Sequence, residues 1–275
     1  MHLYREFAPH PALAGHVACL WTSQALPDGA PLRRRILPDN CIDILWQDRA
    51  PLGFVAGMMS RAHRFETLQP LRTVAVRLRP GAARALFDLP LHVLQDAHPA
   101  LDALWPRAEV EALGAALWEC ERTPAQQLAT IEGALLARLS SRAAGALAAG
   151  STASAGRLID AALRLIDGAG GAVRIGALAQ SLGVSRQHLN QQFRDRVGLN
   201  AKTYAMVSRF GRAGAALRAA HGAPARDIDW AGLALDCGYY DQSHLIHEFR
   251  LFADQTPQAF ALGRSGAATA TGGQP

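Results

Sequence analysis

Between residues 71 and 78, apolar Val74, Val76 and Leu78 alternate with Thr73, Ala75 and Arg77. That is the period of a strand with one face turned inward. The stretches 15–24 and 53–59 are further strand candidates. At 35–46, Pro38, Asp39 and Asn40 fall between two apolar runs, which predicts a hairpin. Beyond residue 81 the period moves toward 3.6, predicting helices at 81–87, 107–121 and 124–140. Pro106 and Pro124 stand where helix starts tolerate proline. Residues 1–140 therefore read as an α+β domain, a small antiparallel sheet or partial barrel followed by helices.

Residues 141–156 are almost all Ala, Gly, Ser and Thr, the composition of an interdomain linker. From 157 to 263 the chain carries helix signals and almost no strand signals. The tail, 264–275, is expected to be disordered.

The helical half contains a duplication. Leu178, Ala179 and Gly183 match Leu233, Ala234 and Gly238; one inserted residue later, Ser185, Leu189 and Phe193 match Asp241, Leu245 and Phe249. Each copy reads as a short helix, a glycine able to take the left-handed turn, a capping residue and a second helix. Leu189 and Phe193, like Leu245 and Phe249, are four apart and share one buried face. The residues left outside are polar: Arg186, Gln187, Asn190, Gln191 and Arg194 in one copy, and Gln242, Ser243, His247 and Arg250 in the other. This is the layout of helix-turn-helix recognition helices, whose outer side chains reach base edges and phosphates.

The run Asp241-Gln242-Ser243-His244-Leu245, followed by Phe249-Arg250, Thr256-Pro257 and Phe260, resembles the signature of the AraC/XylS transcription regulators. The first copy agrees at Ala179, Gly183-Val184-Ser185, His188-Leu189, Phe193-Arg194, Val197-Gly198 and Tyr204, as does the stretch 209–217. The resemblance covers 157–262. It implies a seven-helix domain with two helix-turn-helix units joined by a long helix at about 201–220. It also implies cytoplasmic gene regulation through contact with double-stranded promoter DNA and RNA polymerase. Carried over by position, the base-facing residues are Arg186, Gln187, Asn190 and Gln191 in the first unit, and Gln242, Ser243 and His247 in the second. Many family members carry arginine where this chain has Gln191 and His247, and glutamine favours adenine over guanine.

Residues 35–43 and 76–83 resemble an uncharacterised N-terminal domain found ahead of some AraC-type regulators. By analogy the N-terminal half is expected to sense a small-molecule effector or to dimerise.

The chain carries a net charge of +5, and its distribution supports this division. Residues 1–156 hold 15 Arg and Lys against 14 Asp and Glu, whereas 157–275 hold 13 against 9. The basic surplus lies in the helical part, where a polyanion would bind. Lys202 is the only lysine.

No membrane span or signal-peptide layout is evident. Cys19, Cys41, Cys120 and Cys237 are far apart without zinc spacing, so reduced thiols and no cofactor are expected. His244 and His247 are three apart, but no third metal ligand accompanies them. Asp43 lies in an otherwise apolar strand, facing a pocket or bonding nearby backbone donors. Arg33, Arg34 and Arg35 read as a solvated turn, and the first four tryptophans (Trp21, Trp46, Trp105, Trp118) as core. No catalytic triad, phosphate loop or dinucleotide fingerprint is present, so the chain is not expected to be an enzyme. The alternative is a covalent sensor or enzyme domain, with Cys41 or Cys19 as the reactive thiol, fused to the DNA-binding module.

Overall fold

The computed structural model describes residues 2–148, 153–219 and 228–263. Five antiparallel strands form one sheet in the order β1 (His2–Phe7), β2 (Val17–Ala25), β7 (Leu71–Leu78), β4 (Ile42–Gln47), β5 (Ala50–Ala56). A two-stranded ribbon pairs β3 (Leu32–Ile36) with β6 (His63–Thr67). Two helices follow, α1 (Arg107–Trp118) and α2 (Pro124–Ala148). The helical half contains, among the described residues, α3 (Ala153–Gly168), α4 (Ile175–Ser181), α5 (Arg186–Arg196), α6 (Ala201–Ala219), α7 (Trp230–Asp236), α8 (Gln242–Ala253) and α9 (Pro257–Leu262). The α+β domain and the seven-helix domain are both present.

The strands expected at 15–24 and 71–78 match β2 and β7, while that expected at 53–59 overlaps β5, which starts and ends three residues earlier. The hairpin expected at 35–46 is corrected. β3 pairs with β6 and β4 with β5 and β7, so the two strands lie in different sheets. Asn40 takes a left-handed φ of 61°, a conformation asparagine tolerates better than most residues, and the chain crosses from ribbon to sheet there. Arg33, Arg34 and Arg35 all lie within β3 rather than a turn; Arg33 pairs with Glu66. The helix expected at 81–87 is only a 3-10 turn, Ala83–Ala85. Residues 141–148 and 153–156 of the expected linker are helical, alanine being the strongest helix former. The remainder of that stretch, and the expected disordered tail 264–275, lie outside the described residues.

β7 is buried on both faces, as befits the central strand. Val74, Val76 and Leu78 enter the main core, while Arg77 lies opposite Asp43 in the β4–β7 register. Asp43 bonds side chains rather than backbone donors. It accepts from Arg77 (3.1 Å) and from the indole nitrogen of Trp21 (3.2 Å). A cross-strand charge pair accounts for the lone carboxylate of that strand. Trp21, Trp46 and Trp105 are buried, while Trp118 is half-buried.

The cores do not divide at the expected linker. One hydrophobic cluster runs from the sheet (Leu20, Ile44, Trp46) through α1 and α2 to Ile166, Leu189, Phe193 and Tyr204. A second holds Val207, Phe210, Leu245, Phe249 and Phe260, together with Leu37 from the N-terminal half. The first helix-turn-helix unit therefore shares its core with the sheet domain. The packing boundary falls within α6.

Candidate nucleic-acid interface

Each unit is built from local signals. Gly183 and Gly238 adopt φ of 68° and 81° after α4 and α7, turning the chain where a Cβ would be strained. Ser185 Oγ then accepts from the backbone N–H of His188 (3.1 Å), and Asp241 Oδ1 from that of His244 (2.7 Å). These caps satisfy donors that a helix start leaves free. Leu189, Phe193, Leu245 and Phe249 are fully buried, which fixes the faces that α5 and α8 present outward.

On α5, Arg186, Gln187, Gln191 and Arg194 are exposed, whereas Asn190 is half-buried. Asn190 Oδ1 accepts from the backbone N–H of Ala201 (3.3 Å), the first residue of α6, and Gln191 donates to both oxygens of Asp195 (3.1 Å). On α8, Gln242, Ser243, His247 and Arg250 are all exposed. The nine residues thus form two outward faces, with Asn190 set at the base of one.

The space between these faces is a trough of two adjoining clefts, of about 400 and 460 Å³. Lys202, Val173 and Ile175 line both; Arg186 and Asn190 close one end, His244 and His247 the other. Among the described residues, Arg186, Arg194, Lys202 and Arg250 have no carboxylate at ion-pair distance, while Arg33, Arg72, Arg77, Arg107, Arg138 and Arg142 do.

Two residues of this region escaped sequence reasoning. Glu248 is fully buried and bonded to Arg209 and to His244 Nε2 (3.2 Å). Arg209 also lies over the Tyr239 ring at 4.8 Å. This cluster pins α8 to α6 and engages His244 structurally. Its signal was one charged residue on the inward stripe of α8, four after His244. Lys202 was visible as the only lysine, but its place between the units depends on the fold. Among the described residues no group of three or more His, Cys, Asp or Glu is placed to hold a metal ion.

Cys19 and Cys41, the two thiols considered for a covalent sensor, lie where the thiolate is disfavoured. Burial pushes Cys19 up to about 11, and burial with the neighbouring Asp39 charge pushes Cys41 well above the ordinary thiol range. The protonated thiol is a weak nucleophile.

A family model described as a helix-turn-helix domain, of the AraC type, matches residues 178–262, spanning both capped units. The C-terminal part of the chain is an AraC-type helix-turn-helix domain. Ahead of the AraC-type domain, residues 5–100 match a domain of unknown function, DUF6597. No curated protein matches the chain. Solved structures of ToxT from Vibrio cholerae are similar to it at 10% identity. One, at 1.65 Å resolution, has a TM-score of 0.45 and covers 90% of this chain and 99% of that one. Another, of ToxT bound to an unsaturated fatty acid, has a TM-score of 0.41 and covers 88% and 99%. Among the described residues, no helix is long and apolar enough to cross a membrane.

Proposed function

We propose that this chain, a DNA-binding transcription regulator by its AraC-type domain, reads two successive major grooves of promoter DNA with α5 and α8. The observation that carries the reading is the pair of capped recognition helices joined through α6. That helix has 19 residues and is about 28 Å long at 1.5 Å per residue, close to the rise of about 34 Å in one turn of B-DNA. Arg186, Gln187 and Gln191 face bases of one box, with Asn190 at the base of that face offering only its amide N–H groups, its oxygen being held by Ala201 N–H; Gln242, Ser243 and His247 face those of the other. Arg194 and Arg250, three residues beyond Gln191 and His247, contact phosphates.

A regulatory signal enters through residues 1–140, and RNA polymerase is the downstream partner of the bound protein in the cytoplasm. Binding of the full chain to duplex DNA should weaken steeply with salt. Arg194→Ala and Arg250→Ala should each reduce the log–log slope by about 0.9 while weakening all sequences alike. Binding that ignores salt would overturn the proposal.

A further inference from the structure

The N-terminal domain touches both recognition helices at their C-terminal ends. After α5, Gly198 has φ of 105°, and a Cβ there would lie 3.1 Å from Met58 Cγ and 3.2 Å from the Leu91 carbonyl oxygen. His92 Nδ1 is 3.7 Å from Asp195 Oδ1 on the last turn of α5. After α8, Arg64 lies 3.3 Å from Asp254, the left-handed C-cap of that helix. Leu37 is buried in the core of the second unit.

Between these grips, Asn40 donates to the Tyr204 carbonyl (3.0 Å) and to Ser208 Oγ (2.9 Å) on α6. Its neighbour Asp39 is tied to β7 through Arg77 (3.2 Å).

We propose that these contacts make the N-terminal domain a determinant of DNA specificity: by holding both recognition helices from behind, it sets the spacing between the two boxes. The proposal rests on the two-groove reading. Recognition helices meet bases mainly through their N-terminal residues, so grips at the C-terminal ends fix angle and separation without covering the reading faces. Changing the spacing by one base pair moves the second box by about 3.4 Å and rotates it by about 36°. A second unit held only by α6 could follow part of that change. One held as well by Leu37 and Arg64, on an α6 anchored by Asn40, cannot, because packed contacts do not deform continuously.

The test is selection of duplexes with a randomised core by the full chain, wild type against Asn40→Gly and Arg64→Glu. Glycine removes both hydrogen bonds of Asn40 and accepts its positive φ. Glutamate at the exposed position 64 sets like charges against each other without entering the core, so it tests the proposal even if Asn40→Gly folds poorly. Wild type should enrich two boxes at one spacing of about 10 base pairs. Both variants should keep the boxes but spread over two or more adjacent spacings. They should also bind the wild-type site about 3–10-fold more weakly, through lost preorganisation. Variants that unfold like wild type and keep the single spacing overturn the proposal while leaving the two-groove reading intact. A wild-type pool without paired boxes overturns both.

Discussion

The side-chain amide of Asn40 donates to the main-chain carbonyl of Tyr204, 164 residues further along the chain, at 3.0 Å. Asn40 sits in the turn between ribbon and sheet; Tyr204 sits in the helix that joins the two helix-turn-helix units. The Tyr204 hydroxyl in turn donates to Asp167 on α3 (3.0 Å), as does Ser208 Oγ (3.3 Å). Three parts of the molecule meet at this polar junction, which borders the hydrophobic core that the sheet domain and the first unit share.

Asn40→Ala should destabilise the protein by about 2–3 kcal/mol, combining lost buried hydrogen bonds with a Cβ forced into the left-handed region without asparagine's tolerance of it. Asn40→Gly should cost about 1 kcal/mol less, because only the hydrogen bonds are lost. Urea unfolding of the two variants checks the order. A glycine variant no more stable than the alanine variant would show that the left-handed backbone at position 40 carries no strain for a Cβ.

Removing the buried Glu248 carboxylate should strike the second unit. Glu248→Ala leaves the nearly buried Arg209 guanidinium without its counter-charge, a change costing about 3–5 kcal/mol. Calorimetric unfolding measures the loss, and footprinting should show protection of one box fading before the other. A cost below about 1 kcal/mol would mean that the pair contributes nothing beyond an exposed ion pair.

Stability should also fall with acid through His2. Burial, reinforced by the neighbouring Arg34 charge, lowers its pKa from 6.5 to about 4 in the folded chain. Between those values the unfolded chain binds the proton more readily, so stability present above 6.5 is lost as pH falls toward 4. Unfolding midpoints across this window should drop less steeply for His2→Gln than for wild type. Parallel curves would remove His2 from the account.

What was legible in the chain was short-range. Gly183, Ser185 and the Leu189–Phe193 pair lie within eleven residues and need only helix geometry to be interpreted, and the second copy repeats the pattern. β7 was legible because its alternation survives in a central strand. β1 and β6, at sheet and ribbon edges, are short and largely polar, and so carried little signal. The hairpin expectation at 35–46 failed because Pro38-Asp39-Asn40 marks a change of direction, not the partner of the strand that follows. The destination of Leu37, the pairing of Asp43 with Arg77 and the burial of Glu248 all depend on partners far away in sequence. The same holds for Asn190, whose amide oxygen is committed to the start of α6 in a way that the outward pattern of α5 did not reveal.

The most direct measurement is binding selection with full-length wild type, Gln242→Ala and His247→Arg. Gln242→Ala should relax preference in one box only, at a cost of about 1–3 kcal/mol if its amide contacts a base bidentately. His247→Arg should move its contacted position in that same box toward guanine, since arginine spans the two guanine acceptors. The other box should be unchanged in both pools. If neither substitution alters any position of the preferred site, α8 serves only as a clamp on the DNA backbone, and the reading of two boxes by one chain is contradicted.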